Sequence, residues 1–298
     1  WDDEVDVVVV GGGVAGLTAA LVASIEGQRV LVVERAPQVG GTSARSSGTV
    51  WIPANDQMAE AGFTDEPDAA MTYLDALVGD RAPRTLRETY VQRGPEMLRY
   101  LERHTRMRFR AYPAQPDYRQ DLPGARTGWR ALEPLPFDGG ELGEHFEEVG
   151  APLRELMLFG GLGGMMVTRG EVARLLRLGT SWDAVRLGAS LVARFAWDRL
   201  RGRQRGTRLV LGNALVARLY RLVLNRNVPV WLDTPASRLV REDGRVLGLV
   251  VRQQGREFAV RARRGVVLAG GGFPAGEAMR EQYLPQPVAQ YTAAAPGS

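Results

Sequence analysis

Hydrophobic and glycine-rich stretches alternate at the start of the chain. Four consecutive valines, residues 7–10, are typical of a strand buried on both faces of a parallel sheet. The glycines of 11–16 then turn the chain into an apolar helix that reaches Ile25, and residues 29–34 form a second apolar strand. This succession predicts a βαβ unit.

Helical periodicity follows in the next part of the chain. Apolar positions recur at helical spacing over 68–78 and 83–91, and Gly94-Pro95 is expected to begin a further helix. Periodicity fails over 111–150, where five prolines interrupt the chain, and a segment of that length without regular structure is usually functional or disordered. Its aromatic residues argue against disorder. We therefore predict a mainly helical insertion at 56–205 with an irregular segment at 111–150.

Strand patterns return in the last third of the chain. A helix capped by Asn213 is expected to run to Leu224. Three short strands separated by turns at 242–244 and 254–255 predict an antiparallel meander. Residues 264–273 then repeat the opening pattern of an apolar strand followed by glycines.

Together these patterns predict an α/β fold. Residues 1–55 and 206–298 are expected to form one discontinuous, Rossmann-like domain, whose parallel sheet is accompanied by the three-stranded antiparallel meander. The helical insertion interrupts this domain. Within it, the glycine-rich run of 159–166 is expected to form an apolar loop, and Thr168 with Glu171 is expected to form a capping box.

The composition excludes several classes of chemistry. The 298 residues contain no cysteine, which excludes disulfides, thiolate metal sites and cysteine nucleophiles, and two histidines give no basis for a metal site, so no metal is expected. All 38 basic residues are arginine, which excludes lysine Schiff-base chemistry. The net charge of +4 is small for this length and indicates no nucleic-acid partner.

Apolar runs and charge patterns bear on location. No apolar run approaches the roughly 20 residues that span a bilayer, and no secretory leader precedes the first strand, so a cytoplasmic location is expected. The helix predicted at 181–201 carries arginines beside an apolar face. That face consists of Trp182, Val185, Val192, Phe195 and Leu200. Such a helix either packs on its own domain or lies on a membrane, so peripheral membrane contact through 181–201 is a second expectation.

The first glycines carry candidate cofactor chemistry. Gly11, Gly13 and Gly16 fit the spacing G-x-G-x-x-G between a strand and a helix. In this motif the first glycine permits a tight turn, the second lets the backbone approach a pyrophosphate, and the third allows helix and strand to pack. The N–H groups at the helix start, including those of Val14 and Ala15, then face the phosphates.

An acidic residue stands at the tip of the second strand. Glu34, followed by Arg35, lies eighteen residues after the last glycine of the motif. Its carboxylate can accept hydrogen bonds from both hydroxyls of a ribose and would repel a 2′-phosphate. The pattern predicts a dinucleotide site that is open to NAD or FAD, and a glycine-rich turn without a ligand is the alternative.

A second glycine pair follows a few residues later. Gly40 and Gly41, with Thr42 and Ser43 after them, offer further N–H and hydroxyl donors. These donors suit a second stretch of phosphate or the ribityl chain of a flavin, whereas a simple nicotinamide dehydrogenase has no need of this loop. The alternative is a polar surface turn.

On these motifs, with Gly212–Leu215, the strand pair split by 243–246, and Val267–Phe273, the chain resembles the flavoprotein family of fumarate reductases and 3-ketosteroid dehydrogenases. The resemblance covers nearly the whole chain and implies a Rossmann-like FAD-binding domain that holds FAD in an extended form. It implies pyrophosphate on Gly13–Gly16 and adenosine ribose on Glu34. The other implied contacts are flavin-side contacts at Thr42, Ser43, Ser47, Gly48 and Thr49, an adenine contact near Ala236, and ribose contacts at Gly270 and Gly271.

Within that family, the chain looks most like the ketosteroid dehydrogenases over Val50–Asn55, Pro116–Tyr118 and 128–139. The resemblance implies that Tyr118 supports a second tyrosine, which removes a proton from the steroid A ring while the flavin N5 takes a hydride from the neighbouring carbon. The alternative is that Tyr118 is only a packing aromatic. The resemblance also implies a capping domain and a C-terminal flavin segment beyond Ser298, which this sequence does not include.

The expected function is that of an FAD-dependent dehydrogenase that introduces a carbon–carbon double bond next to a ketone. A small apolar, steroid-like molecule is the expected substrate, with an unidentified electron acceptor such as a quinone. One alternative is a fumarate-reductase-like activity on a small dicarboxylate. The others are a flavin-binding fragment without turnover and a nicotinamide-dependent oxidoreductase.

Overall fold

The computed structural model describes residues 1–158, 164–289 and 291–296. The chain divides into two compact units, the first formed by Trp1–Ser47 with Pro136–Ser298 and the second by Gly48–Leu135. The strands are β1 Asp3–Val10, β2 Val30–Val33, β3 Val50–Trp51, β4 Phe109–Ala111, β5 Ala131–Pro134, β6 Phe137–Asp138, β7 Arg208–Leu209, β8 Val230–Trp231, β9 Ala236–Glu242, β10 Arg245–Gln253 and β11 Arg256–Leu268. The helices are α1 Val14–Ile25, α2 Gly41–Ala44, α3 Asp56–Glu60, α4 Pro67–Val78, α5 Arg84–His104, α6 Arg169–Leu175, α7 Trp182–Leu200, α8 Leu211–Leu224 and α9 Glu277–Tyr283, with 3₁₀ turns at Gly79–Arg81, Gly139–Glu148 and Arg154–Leu156.

A six-stranded sheet organises the first unit. Its order is β8-β2-β1-β11-β10-β9, in which β1 runs parallel to β2 and β11, and β10 runs antiparallel to β9 and β11. Val8, Leu31 and Val260 are fully buried in its core, as expected for apolar strands covered on both faces. The predicted α/β architecture, a parallel sheet with an antiparallel meander, is confirmed.

One strand joins the two parts of this sheet. The sequence predicts two strands at 257–262 and 264–273, whereas β11 is a single strand from Arg256 to Leu268. The arginines in its middle interrupt the apolar pattern because they project outward, where Arg261 and Arg263 form ion pairs with Glu4 of β1. The meander is therefore continuous with the parallel sheet.

Helices pack against the sheet and beside it. Leu17 and Leu21 of α1 are buried, and α1 packs against α8, whose Tyr220 is also buried. The predicted capping box of Thr168 and Glu171 is present at the start of α6. The expected glycine-rich loop falls mainly on 159–163, outside the described residues.

The second unit combines helices with a small sheet. Helices α4 and α5 pack together, and β3, β5 and β4 form an antiparallel sheet. The helix expected to begin at Gly94-Pro95 is the second half of α5, which runs through both residues. Proline interrupts one backbone hydrogen bond without ending the helix here, because Gly94, Pro95 and Leu98 lie on a buried face.

The compact units differ from the predicted domain boundaries. Residues 136–205 were assigned to the helical insertion, yet they belong to the unit that contains the six-stranded sheet. Pairing of Phe137 with Leu209 shows why, because β6 and β7 form a two-stranded sheet across the predicted boundary. Residues 48–55 belong instead to the second unit.

Candidate functional site

The glycine motif turns the chain from β1 into α1. Gly11 has φ of +110°, a conformation that favours glycine, and a Cβ there would overlap the carbonyl of Ala269. A Cβ on Gly16 would overlap the carbonyl oxygen of Gly11. The protein's own backbone therefore requires glycine at both positions.

Gly13 differs from these two glycines. Its φ of −75° is open to any residue, and a Cβ there would find Ser43 Oγ, at 3.8 Å, as its nearest neighbour among the described residues. Gly13 is the N-cap of α1 and supplies no side-chain acceptor for the first turn, in which Ala15 is exposed. A ligand phosphate fits this open space and these N–H groups.

Glu34 is held at the end of β2 by backbone donors. Its Oε2 accepts from the N–H of Gly12 at 2.6 Å, and its Oε1 accepts from that of Ala36 at 2.9 Å. A carboxylate oxygen can accept more than one hydrogen bond, so both oxygens can still receive ribose hydroxyls. The backbone N–H of Thr234 donates to the Glu34 carbonyl at 2.8 Å, which brings the exposed Ala236 at the start of β9 to the same end of the sheet.

The second glycine loop lies against the first. The N–H of Gly40 donates to the carbonyl of Gly12 at 2.8 Å, and the N–H of Val14 donates to Ser43 Oγ at 3.4 Å. A Cβ on Gly41 would meet no described atom within 4 Å. Two turns that are 29 residues apart in sequence thus share one face at the start of α1.

Glycines after β11 complete this arrangement. The N–H of Ala269 donates to the carbonyl of Val10 at 2.8 Å, so the loop after β11 lies beside the loop after β1. Gly270 and Gly271 are exposed, and a Cβ on either would meet no described atom within 4 Å. We call the set of Gly11–Gly16, Glu34, Gly40–Ser43 and Gly270–Gly271 the cofactor cradle.

Sequence reasoning missed the residues that support the second loop. Asn213 is not the N-cap of α8, which is Val210; it lies in the first turn and is fully buried. Its Nδ2 donates to the carbonyls of Gly150 at 2.7 Å and Ala44 at 3.3 Å, and its Oδ1 accepts from Arg205 at 3.0 Å. An asparagine inside an otherwise apolar helix start was the available signal.

Arg205 is itself largely enclosed. Burial lowers the pKa of its guanidinium, which also donates to the carbonyl of Val149 at 2.7 Å and stacks over the ring of Phe146. The chain at 149–150 and the loop at Ala44 are therefore tied to one side-chain network beneath the cofactor cradle.

Six predicted residues lie outside the cofactor cradle, one of them Ala236 at the start of β9. Arg35 is exposed beside Glu34, and Ser47 belongs to the first unit. Gly48 and Thr49 belong to the second unit, as does Tyr118, whose side chain is 93% exposed. Among the described residues, no group of three histidine, cysteine, aspartate or glutamate side chains could hold a metal ion.

A family model described as FAD binding domain matches residues 6–298. The chain belongs to this family. The predictions of FAD as cofactor and of the flavoprotein fold are therefore confirmed. Of the two cofactors that the glycine motif left open, FAD is the one that this family binds. The open positions at Gly13, Gly41, Gly270 and Gly271 agree with this, because none of them is filled by a described protein atom.

Relatives and solved structures extend the match. The 3-oxosteroid 1-dehydrogenase of Mycolicibacterium smegmatis is 38% identical over 291 residues, which cover 96% of this chain and 50% of the relative. The 4-oxocyclohexanecarboxylate 2-dehydrogenase of Sinomonas cyclohexanicum is 36% identical over 285 residues, 94% of this chain and 45% of the relative. The crystal structure of 3-ketosteroid Δ1-dehydrogenase from Sterolibacterium denitrificans, in complex with 1,4-androstadiene-3,17-dione, matches with a TM-score of 0.87 at 36% identity, covering 99% of this chain and 53% of that one.

The predicted resemblance to the ketosteroid dehydrogenases is thus confirmed. The chain spans about half the length of these relatives.

Proposed function

We propose that this chain is the FAD-binding part of a dehydrogenase that forms a carbon–carbon double bond next to a ring ketone, with a 3-ketosteroid as the substrate. One observation carries the proposal: identity of 36–38% to dehydrogenases of a 3-oxosteroid and of 4-oxocyclohexanecarboxylate extends over 94–96% of the chain. Both named substrates are ring ketones.

The cofactor cradle supports an extended FAD. Gly13–Gly16 would receive the pyrophosphate on the N–H groups of α1, and Glu34 would accept the ribose hydroxyls with Arg35 beside it. The remaining proposed contacts are Gly11 at the turn, Gly40, Gly41, Thr42, Ser43, Ser47, Gly48 and Thr49 toward the flavin, and Ala236, Gly270 and Gly271 toward the adenosine. When bound, FAD supplies a hydride acceptor at N5.

Tyr118 is the residue of this chain that we assign to proton removal. Carbon next to a ketone loses a proton to a base, and a phenol that donates a hydrogen bond to a second tyrosine stabilises the phenolate form of that base. In this structure the phenol of Tyr118 is exposed and is not packed against its own unit. The second tyrosine would come from the part of the protein beyond Ser298.

Turnover of the full-length protein tests this proposal. Reduction of a dye acceptor driven by a 3-ketosteroid, and lost in Tyr118→Phe, is expected. Oxidation of 4-oxocyclohexanecarboxylate with no response to the steroid would leave the ring-ketone chemistry but reject the steroid. Turnover with fumarate alone would reject both, and bound yellow flavin without any turnover would leave a cofactor-binding module.

The outward face of α7 supports a contact with an anionic membrane, which we propose as part of this function. Trp182 and Leu200 are 87% and 81% exposed, whereas Leu191 on the opposite side is buried. Phe195, predicted on the same apolar face as Trp182 and Leu200, packs on the buried cluster that contains Leu191. Apolar side chains thus lie on both sides of α7. Packing within the protein accounts only for those on the side that contains Leu191.

The charge around α7 complements such a surface. Residues 169–203 contain eight arginines and three acidic residues. Each of these acidic side chains already has a partner in the protein. Glu171 forms an ion pair with Arg208 and Asp183 with Arg174, and Asp198 accepts a hydrogen bond from Thr207. Among the described residues, no helix is both long and apolar enough to cross a bilayer.

Vesicle sedimentation tests the membrane contact. The full-length protein should sediment with phosphatidylcholine vesicles only when they contain phosphatidylserine, and Trp182→Ser with Leu200→Ser should reduce the bound fraction. Leu86→Ser, at an exposed position of the second unit, is the matched control and should bind normally. Equal binding of all variants would reject α7 as the contact. A bilayer quinone is the electron acceptor that we propose for such a protein.

A further inference from the structure

Tyr118 sits on a loop that is anchored although it has no regular structure. Residues 113–130, which we call the Tyr118 loop, contain no helix or strand. The phenol is almost fully exposed, so its burial contributes nothing to holding the loop. On its C-terminal side, the N–H of Arg119 donates to the hydroxyl of the buried Tyr73 at 3.3 Å. On its N-terminal side, Asp117 is buried.

A buried set of charges lies beneath the loop. Arg130 is 1% exposed, and its Nε and Nη2 donate to the two oxygens of Asp65 at 2.8 and 2.9 Å. Its Nη1 donates to Asp117 Oδ2 at 2.8 Å, and Arg126 Nε donates to Asp65 Oδ1 at 2.9 Å. These four residues, which we call the charge cluster, hold two positive and two negative charges. The balance explains how Asp65, Asp117 and Arg130 are tolerated away from water, while Arg126 is partly exposed.

The charge cluster fixes the residue that precedes Tyr118. Besides Arg130, Asp117 Oδ2 accepts the N–H of Arg126 at 2.9 Å, and the N–H of Asp117 donates back to the Arg126 carbonyl at 2.9 Å. Asp117 Oδ1 accepts from the indole Nε1 of Trp51 at 2.7 Å. Asp117 is thus held from three sides, and the loop is closed at 117 and 126.

We propose that Asp65, Arg130 and Asp117 are positioning residues for Tyr118, which fix where its phenol projects. This inference rests on the proposed function, in which that phenol takes part in proton removal. Buried ion pairs seldom stabilise a fold more than apolar side chains of similar volume would, and in some proteins their role is to define one conformation. A loop that presents an exposed aromatic in one position needs that definition, because a displacement of about 1 Å at a reacting group can lower a rate by about 100-fold.

Kinetics of the full-length flavoprotein test the proposal. Asp117→Asn should lower kcat by about 10- to 100-fold, with KM and the flavin absorbance unchanged, because the phenol is displaced while the binding groups stay in place. Trp51→Phe removes one hydrogen bond to Asp117 and leaves the ion pairs intact, so it should lower kcat by about three- to tenfold. If Asp117→Asn does not fold, the kcat of Trp51→Phe decides whether the proposal holds.

A double-variant comparison separates positioning from stability. Tyr118→Phe added to Asp117→Asn should lower kcat little further, because the phenol no longer acts in that background. Asp121→Asn is the matched control, since it removes the exposed ion pair with Arg119 on the same loop, and it should leave kcat unchanged. Losses that simply multiply would overturn the positioning role.

A readout without turnover completes the test. Trypsin cleavage after Arg119 should be faster in Asp117→Asn than in the wild-type protein, because the loop opens more often. Equal cleavage rates would overturn the proposal. Full activity of Tyr118→Phe would instead reject the role of Tyr118 in the proposed function, whereas loss in Tyr118→Phe with normal kcat in Asp117→Asn and Trp51→Phe would reject positioning alone.

Discussion

The cofactor cradle and the charge cluster hold functional groups by opposite means. In the cofactor cradle, backbone groups make the contacts: the N–H of Gly40 donates to Gly12, and the carboxylate of Glu34 accepts from backbone N–H groups. In the charge cluster, side chains make the contacts, and Arg130 joins two carboxylates away from solvent. The cofactor cradle is specified by where the chain can turn, and the charge cluster by charges that must balance.

This difference predicts that the two sites respond differently to substitution. A backbone site tolerates many side-chain changes and fails where an added Cβ occupies needed space. A buried charge site tolerates a change of volume better than the loss of one partner, which leaves the other charge unpaired. Substitutions at the two sites can therefore be ranked and compared.

The largest effect is expected from Arg130→Met. Methionine has a similar length but leaves the buried Asp65 without its bidentate partner, so the free energy of unfolding should fall by about 3–5 kcal/mol. Urea unfolding followed by tryptophan fluorescence measures this. Arg99→Met is the matched control, because Arg99 makes a similar bidentate pair with Asp56 but is 51% exposed. Its effect should stay below about 1 kcal/mol because solvent screens the pair, and equal losses would show that burial is not the deciding factor.

Gly16→Ala should give the next largest effect. The added Cβ would overlap the carbonyl oxygen of Gly11, so α1 must move away from the sheet, and the flavin-free protein should lose about 2–3 kcal/mol of unfolding free energy. Gly170→Ala is the control: it lies in α6, where a Cβ meets no described atom within 4 Å, and should be neutral or slightly stabilising. An unchanged stability of Gly16→Ala would mean that the close approach of α1 is not needed.

The part of the cofactor cradle nearest the start of the chain was predictable because its determinants are local. Gly11, Gly13, Gly16 and Glu34 lie within one βαβ unit, where spacing along the chain fixes position in space. The continuous strand β11 was not predictable, since its outward arginines resemble a break in an apolar pattern. Two of them, Arg261 and Arg263, pair with Glu4, from the other end of the chain.

The charge cluster could not be inferred because its contacts are distant in sequence. Arg130 meets Asp65 across 65 residues, in a stretch without periodicity. Asn213 was misassigned for a similar reason: a polar residue before an apolar helix is commonly a cap, whereas here it bonds a carbonyl 169 residues away. Sequence order predicts turns well, but it does not indicate which buried side chains pair.

Gly13→Ala should separate the space that the ligand needs beside this residue from the space that the protein's own packing needs. A Cβ there meets no described atom closer than 3.8 Å, so the flavin-free protein should keep its stability, in contrast to Gly16→Ala. The FAD phosphates would be displaced, and the dissociation constant should rise about tenfold or more, equivalent to about 1.4 kcal/mol. Titration by quenching of flavin fluorescence measures this. An unchanged affinity would place the pyrophosphate elsewhere.

The smallest effect is the pH dependence of the charge cluster. Burial acts to raise the pKa of Asp65, but the hydrogen bonds and charge of Arg130, together with the N–H of Ala54 and the charge of Arg126, outweigh it and hold that pKa below its ordinary value. In the wild-type protein, stability from the ionised Asp65 is present above the ordinary pKa and is lost as the pH falls through the lower folded value. In Arg130→Met, burial should instead raise the pKa of Asp65, so stability is lost as the pH rises through the raised value.

The two proteins should therefore converge in acid. The stability deficit of Arg130→Met should shrink between about pH 7 and about pH 4.5, by about 1.4 kcal/mol for each unit by which the pKa of Asp65 exceeds its ordinary value. Urea unfolding of both proteins across this range measures the change. Arg99→Met should keep a small, constant deficit, because solvent screens its pair at every pH. A constant deficit for Arg130→Met would mean that water reaches Asp65 in the variant, and that the charge cluster depends on packing rather than on charge balance.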